Sequence, residues 1–205
     1  MVGEMMVRMR AGVLAAAVLA VLAGGSLAGP AAARAGGQAQ RGAAGTHSPA
    51  GQVLSVSASG SHTCAVKADH TLWCWGDNGY GELGDGTTAS SAVPVQEHSH
   101  ARDWAGVSAG GHHTCAVKAD HSLWCWGYNG FGELGDGITT TTRRSDVPVR
   151  EHSHASDWAA VSAGGDYTCA VKADHSLWCW GYNVSGQLGI GVTGYFTTPL
   201  QVTGL

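Results

Sequence analysis

The chain is poor in charge. Only 13% of its 205 residues are Asp, Glu, Lys or Arg, and 11 of them are basic. No basic cluster exceeds the pair Arg143 and Arg144. A footprint for neutralising a run of phosphates is therefore absent, and no nucleic acid partner is expected. Beyond the first two dozen residues no apolar run approaches the ~20 that a bilayer core demands, so no membrane contact is expected of the mature chain. No segment after residue 36 has a helical apolar stripe long enough to compete with strands. No serine, cysteine or carboxylate stands in a unique constellation, because the polar features recur three times. The expectation is a non-enzyme without cofactors. The Asp- and Asn-bearing loops that start at Asp77, Tyr128 and Tyr182 lack the ligand spacing of a calcium loop.

At the N-terminus, Arg8 and Arg10 precede an apolar run from Ala11 to about Ala23, then small residues and Ala33-Arg34-Ala35. This pattern predicts a secretory signal peptide over 1–35, with cleavage after Ala28 as a second fit. No cysteine lies nearby to carry a lipid anchor. Residues 36–50, GGQAQRGAAGTHSPA, have the composition of a flexible leader. Removing Arg8, Arg10, Arg34 and Glu4 with the signal peptide leaves 8 basic and 14 acidic residues from Gly36 onward, a net charge of −6. The mature protein is expected to be soluble and secreted, in an extracellular or periplasmic compartment.

The remainder is three copies of one unit. Aligning Cys64, Cys115 and Cys169 gives spacings of 51 and 54, and Arg102 to Trp126 matches Ser156 to Trp180 at 21 of 25 positions. The units run over about 51–101, 102–155 and 156–205. The three-residue excess falls in ITTTTRRSD, residues 138 to 146, which reads as a loop insertion. Within one unit WAGVSA (104–109), HTCAVK (113–118), SLWCWG (122–127) and DVPVRE (146–151) read as strands between Gly, Asp and Asn. Four short strands per ~50 residues, repeated, is the signature of a propeller blade. The predicted fold is all-β, a partial β-propeller of three four-stranded antiparallel blades.

VSAGGHHTCAVKADHSLWCWGYNGFGELGDG (107–137), with counterparts from Val56 and Val161, resembles the repeat of the regulator of chromosome condensation family. The resemblance covers 53–205. It implies a β-propeller, normally of seven blades, acting through protein contacts. Relatives with this repeat include a nuclear exchange factor for a small GTPase and a secreted bacterial inhibitor of β-lactamases, and export selects the secreted bacterial type. This sequence departs from the pattern in having three blades and in placing His70, His121 and His175 where the family's Asp-Gly turn has glycine.

A three-residue hairpin loop, Ala68-Asp69-His70 with histidine in the left-handed position, sets Lys67 against Thr71 and Cys64 against Cys74. Directly opposed Cβ atoms lie close enough for a disulfide after a modest pinch. Three disulfides are thus predicted: Cys64 with Cys74, Cys115 with Cys125, and Cys169 with Cys179. An oxidising compartment agrees with them. Zinc ligation wants two to four residues between paired cysteines, not nine. The same parity puts Trp73 and Trp75 on the opposite face, with the indoles of one blade covering the smaller Cys, Val and Leu of the next.

Seven histidines gather in the turns between the second and third strands of each unit and in the two HSH connectors. Of these His98, His100, His152 and His154 are the candidate metal ligands, with solvated connector as the favoured reading. At the opposite end the copies differ most. Tyr80, Phe131, Arg143, Arg144, Tyr195 and Phe196 are the candidate binding residues, as variable aromatic and Arg-bearing loops on a rigid scaffold suit a protein partner. The expected function is a secreted, non-catalytic interaction module, inhibitor-like, for an unknown protein ligand. The alternative is a multivalent lectin-like propeller with identical sugar sites. Three blades leave the apolar faces of the first and last uncovered, so either a homo-oligomer completes the ring or the chain is a fragment of a longer propeller.

Overall fold

The computed structural model describes residues 51–138 and 143–204; the expected signal peptide (1–35) and leader (36–50) lie outside them. Blade 1 holds β1 (Val53–Ser59), β2 (His62–Lys67), β3 (Leu72–Gly76) and β4 (Ser91–Gln96). Blade 2 holds β5 (Trp104–Ala109), β6 (His113–Lys118), β7 (Leu123–Tyr128) and β8 (Arg144–Arg150). Blade 3 holds β9 (Trp158–Ala163), β10 (Tyr167–Lys172), β11 (Leu177–Asn183) and β12 (Gly194–Gln201). Each blade is one four-stranded sheet paired in sequence order. β1 touches β5, and β5 touches β9, so the first strands converge on a common axis while β4, β8 and β12 form the rim. The fold is all-β, and no helix of the described residues is long and apolar enough to cross a membrane.

The turn after the second strand sets the register. Lys67 and Thr71 close the hairpin through Lys67 N–H to Thr71 O at 2.9 Å, and His70 has φ 60°, with His121 and His175 at 62° and 68°. The three-residue loop therefore forms, and Cys64 faces Cys74, Cys115 faces Cys125, and Cys169 faces Cys179. All three pairs are disulfides, with S–S distances of 2.09, 2.12 and 2.12 Å. Left-handed histidine costs about 1–2 kcal/mol relative to glycine. The compensation is a clamp on the next blade. His70 Nδ1 donates to the Trp104 carbonyl at 3.0 Å while the His70 carbonyl accepts the Trp104 N–H at 3.2 Å. His121 treats Trp158 the same way, at 3.1 Å in both directions.

Packing between blades keeps the predicted alternation of indole and sulfur faces but reverses its direction, because the indoles of one blade cover the sulfurs of the blade before it, and it adds one residue. Cys64, Val66, Leu72 and Cys74 of blade 1 lie against Trp104, Ala116 and Trp126 of blade 2. Cys115, Val117, Leu123 and Cys125 of blade 2 lie against Trp158, Ala170 and Trp180 of blade 3. Trp126 and Trp180 are fully buried, whereas Trp124 and Trp178, two residues earlier, stay half-buried with Lys118 and Lys172 over their rings. The added residue is the tryptophan that opens the first strand, Trp104 or Trp158, where blade 1 has Val53, 52% exposed. Gly84 and Gly135, at φ 67° and 66°, let the long loops approach these indoles. A Cβ would come within 2.7 Å of Trp126 Nε1 and 2.6 Å of Trp180 Nε1.

A buried polar chain crosses each junction. Thr114 donates to the Glu82 carbonyl at 2.8 Å and so accepts the His62 Nε2–H, also at 2.8 Å, while Trp126 Nε1 donates to the same carbonyl at 2.7 Å. Thr168, the Glu133 carbonyl, His113 and Trp180 repeat the arrangement with distances of 2.8, 2.9 and 2.8 Å. Burial is the main reason that His62 is lowered to about 4 and His113 to about 3, with neighbouring histidines adding to it. Both rings are therefore neutral at pH 7 and act as hydrogen-bond donors.

Candidate functional site

One end of the arc carries the β1–β2 turns and the long β3–β4 loops. Each loop is pinned by its asparagine: Asn78 Oδ1 accepts the Leu83 N–H at 2.9 Å, and Asn129 and Asn183 hold Leu134 and Leu188 at 3.1 and 2.8 Å. Leu83 and Leu134 drop into the two blade junctions, and all three leucines are at most 1% exposed. A loop anchored at both ends by buried groups presents its remaining side chains rigidly.

Those side chains form a continuous aromatic row. Tyr80 meets His112 and Tyr128 edge-on at centroid distances of 5.3 and 4.9 Å. Tyr128 continues to Phe131 at 6.0 Å, and Phe131 to Tyr182 at 5.1 Å. Tyr195 stacks on Phe131 at 5.1 Å and leans on Tyr182 at 5.6 Å. The row runs from blade 1 to blade 3 and stays open, with Tyr80 41% and Tyr195 56% exposed. Two buried carboxylates lie beneath it. Glu82 Oε2 accepts the Tyr80 N–H at 2.8 Å and Glu133 Oε2 the Phe131 N–H at 2.9 Å, so each glutamate aims the ring two residues before it.

Of the six binding residues named from the sequence, the fold brings Tyr80, Phe131 and Tyr195 together. Arg143 is an exposed residue at φ 49° whose carbonyl accepts the Asn129 N–H. Arg144 opens β8 opposite Tyr128, and Phe196 is half-buried in β12 opposite Gly181. Neither arginine lies over an aromatic ring among the described residues. His112, Tyr128 and Tyr182 join the row although they are not among the binding residues expected from the sequence. The signal was available in part: the residue after Trp-x-Trp-Gly is Tyr128 or Tyr182 in blades 2 and 3 but Asp77 in blade 1. Where it would point depended on the loop of the preceding blade.

The HSH connectors have a structural explanation. Buried Glu97 accepts the Ser99 N–H and hydroxyl, both at 2.7 Å, the Ala101 N–H at 2.8 Å and Trp104 Nε1 at 3.3 Å. Glu151 repeats this with Ser153, Ala155 and Trp158. His100 and His154 are left-handed residues of this turn, at φ 52° and 55°. His98 and His152 lie with their rings against Gly86 and Gly137. Among the described residues no three His, Cys, Asp or Glu side chains gather to hold a metal ion, so these four histidines are not brought together as a ligand set.

The profile of the regulator of chromosome condensation (RCC1) repeat matches residues 69–117 and 120–171, and a second profile of the same description matches 53–82, 104–133 and 158–187. The chain belongs to the RCC1 repeat family. It is 33% identical over 153 residues to the ultraviolet-B receptor UVR8 of Arabidopsis thaliana, covering 74% of this chain and 34% of the receptor. It is 31% identical over 154 residues to the mitochondrial RCC1 domain-containing protein RUG3 of the same plant, again 34% of that protein. This RCC1 chain thus spans about a third of the length of those relatives. Human WBSCR16 superposes with a TM-score of 0.64 at 26% identity, over 74% of this chain and 40% of that one. The structure of Kap60 bound to yeast RCC1 (Prp20) gives 0.64 at 18% identity, over 73% of this chain and 36% of that one, which shows the shared fold.

Proposed function

We propose that this RCC1-repeat protein is a non-catalytic protein-binding module, exported through the 1–35 signal and acting outside the cell in an inhibitor-like way. The observation that carries the reading is the aromatic row from Tyr80 to Tyr195, held open on loops whose roots are buried. Aromatic side chains supply large contact area at small entropic cost, which is why they dominate protein interfaces. Solved structures of RCC1 relatives include a complex with Kap60, and Prp20p is described as binding Gsp1p and histones, so the scaffold serves protein contacts elsewhere. Three disulfides suit an oxidising compartment.

The rings differ from blade to blade, Tyr80, Phe131 and Val184 at one position, so no identical sugar sites repeat and the lectin reading has no observation in its favour. Self-association belongs to the proposal. Blade 1 presents Trp75 half-buried where Trp126 and Trp180 are fully covered, and blade 3 presents the half-buried Cys169, Val171 and Leu177 that such a tryptophan covers elsewhere. A second copy set head to tail would repeat the junctions already seen twice within the chain.

The test is binding of the mature chain to a panel of class A β-lactamases and to a glycan array, with the triple variant Tyr80→Ser, Phe131→Ser, Tyr195→Ser alongside. Saturable inhibition of at least one enzyme, lost in the triple variant at unchanged melting temperature, is the expected result. Absence of inhibition across the panel removes the inhibitor reading, and retention on a single sugar class overturns the protein-binding one.

A further inference from the structure

The two blade junctions are built from the same parts and differ in one charge. At the first, buried Glu82 has its Oε1 3.6 Å from His112 Nδ1, and Tyr80 and Tyr128 border the pair. At the second, the corresponding places hold Glu133, Asp166, Phe131 and Tyr182, and Tyr195 is added. Glu133 is 0% exposed, and its Oε1, like Glu82 Oε1, has no hydrogen-bond partner, but no imidazole stands beside it as His112 stands beside Glu82. Asp166 is only half-buried, and its carbonyl accepts the Tyr182 N–H at 2.9 Å, which ties it to the ring cluster. The cationic group that the first junction can supply from its own chain is thus replaced by a second carboxylate, beside three aromatic rings in mutual contact.

We propose that the notch between Glu133 and Asp166 binds the cationic head of an arginine or lysine side chain from a protein partner, with the stem of that side chain against Phe131, Tyr182 and Tyr195. The inference rests on the protein-binding reading above and names the chemistry it recognises. A guanidinium would give Glu133 Oε1 the donor it lacks, and charge-assisted bonds to carboxylates are the strong ones. Aromatic faces nearby favour the same ligand through cation–π attraction. Burial, with Asp166 adding to it, raises Glu133 to about 7, so near neutral pH the notch holds a proton that a cation displaces.

The experiment is a titration of the full mature chain with N-acetyl-arginine amide, N-acetyl-lysine amide and the neutral isostere N-acetyl-citrulline amide, read by NMR of the aromatic rings. Saturable millimolar shifts are expected at Phe131, Tyr182 and Tyr195 for the two cations, with none for citrulline and none at Tyr80 and Tyr128. Asp166→His, which copies blade 2, should weaken the effect at least tenfold, and Asp166→Asn does so if the first variant fails to fold. No shift at saturating probe, equal shifts at both junctions, or shifts unchanged in both variants overturns the proposal. A partner that binds the wild type and is lost in the triple ring variant, with no response to either cation, removes the notch alone. Cation shifts without any protein binding remove the wider reading.

Discussion

Thr63, Thr114 and Thr168 occupy the same place in the same HTC or YTC motif, yet the structure assigns them different weight. Thr168 is fully buried and links His113 of the preceding blade to the Glu133 carbonyl. Thr168→Val keeps the shape and removes the hydroxyl. The buried His113 N–H then has no acceptor, at a cost of about 1–3 kcal/mol. The Glu133 carbonyl keeps its bond from Trp180 Nε1 at 2.8 Å, so its loss adds little. The expected total is about 2 kcal/mol, or a fall of about 4–8 °C in melting temperature for a domain of this size. Thr114→Val should behave alike, because Thr114 joins His62 to the Glu82 carbonyl. Thr63, half-buried on the outer face of blade 1, has no such chain, and Thr63→Val should cost less than about 0.5 kcal/mol. Denaturant unfolding of the three variants at pH 7 with disulfides intact checks this. Equal losses at Thr63 and Thr168 would refute the polar-chain account.

Stability should fall on acidification. His62 and His113, lowered to about 4 and about 3, contribute stability that is complete above the unfolded value of 6.5 and lost as pH falls, while Glu133, raised to about 7, contributes below 4.5 and loses it as pH rises through 7. Between 4.5 and 6.5 the unfolded chain therefore takes up a net one more proton, giving a slope of about 1.4 kcal/mol per pH unit, and Glu133→Gln should steepen it towards about 2.7. Unfolding midpoints at pH 6.5 and 5 measure both, and a flat profile contradicts the buried neutral histidines. Cys115→Ser with Cys125→Ser opens a ring with a sequence separation of 10 and should lower stability by about 2.8 kcal/mol in the same denaturation assay. Glu151→Ala removes the acceptor shared by Ser153, Ala155 and Trp158, and should cost at least about 2 kcal/mol, read as a fall in melting temperature; a neutral result would contradict the connector account. Sedimentation of the mature chain should give a mass above that of one copy, reduced to one copy by Trp75→Lys; a single-copy mass in both would dismiss head-to-tail association.

The histidines show how far a one-dimensional reading reaches. Spacing alone predicted that His70, His121 and His175 sit left-handed in a three-residue turn, because that loop is what lets cysteines ten positions apart share a face. That His70 and His121 also clamp Trp104 and Trp158 was invisible, since the partner lies 34 or 37 residues away on another blade. The HSH connectors read from the sequence chiefly as solvated linkers, with metal ligation the lesser candidate because two imidazoles flank one residue. The serine between them and the glutamate before them carry the turn, a fact recorded in hydrogen bonds and not in spacing.

What the sequence by itself determined was periodic: three units, four strands each, the disulfide pairs, and the alternation of indole and sulfur faces. These follow from parity along a strand and from one turn length, both local properties of the chain. Only the tertiary structure decided which copies of a repeated residue matter. Trp75 and Trp126 have identical neighbours in sequence, but one faces outward and the other is sealed, because only one has a blade before it. The aromatic row and the proposed Glu133–Asp166 site arise in the same way. They join a loop of one blade to a turn of the next, and contact between elements so far apart in the chain is fixed by how blades pack about an axis.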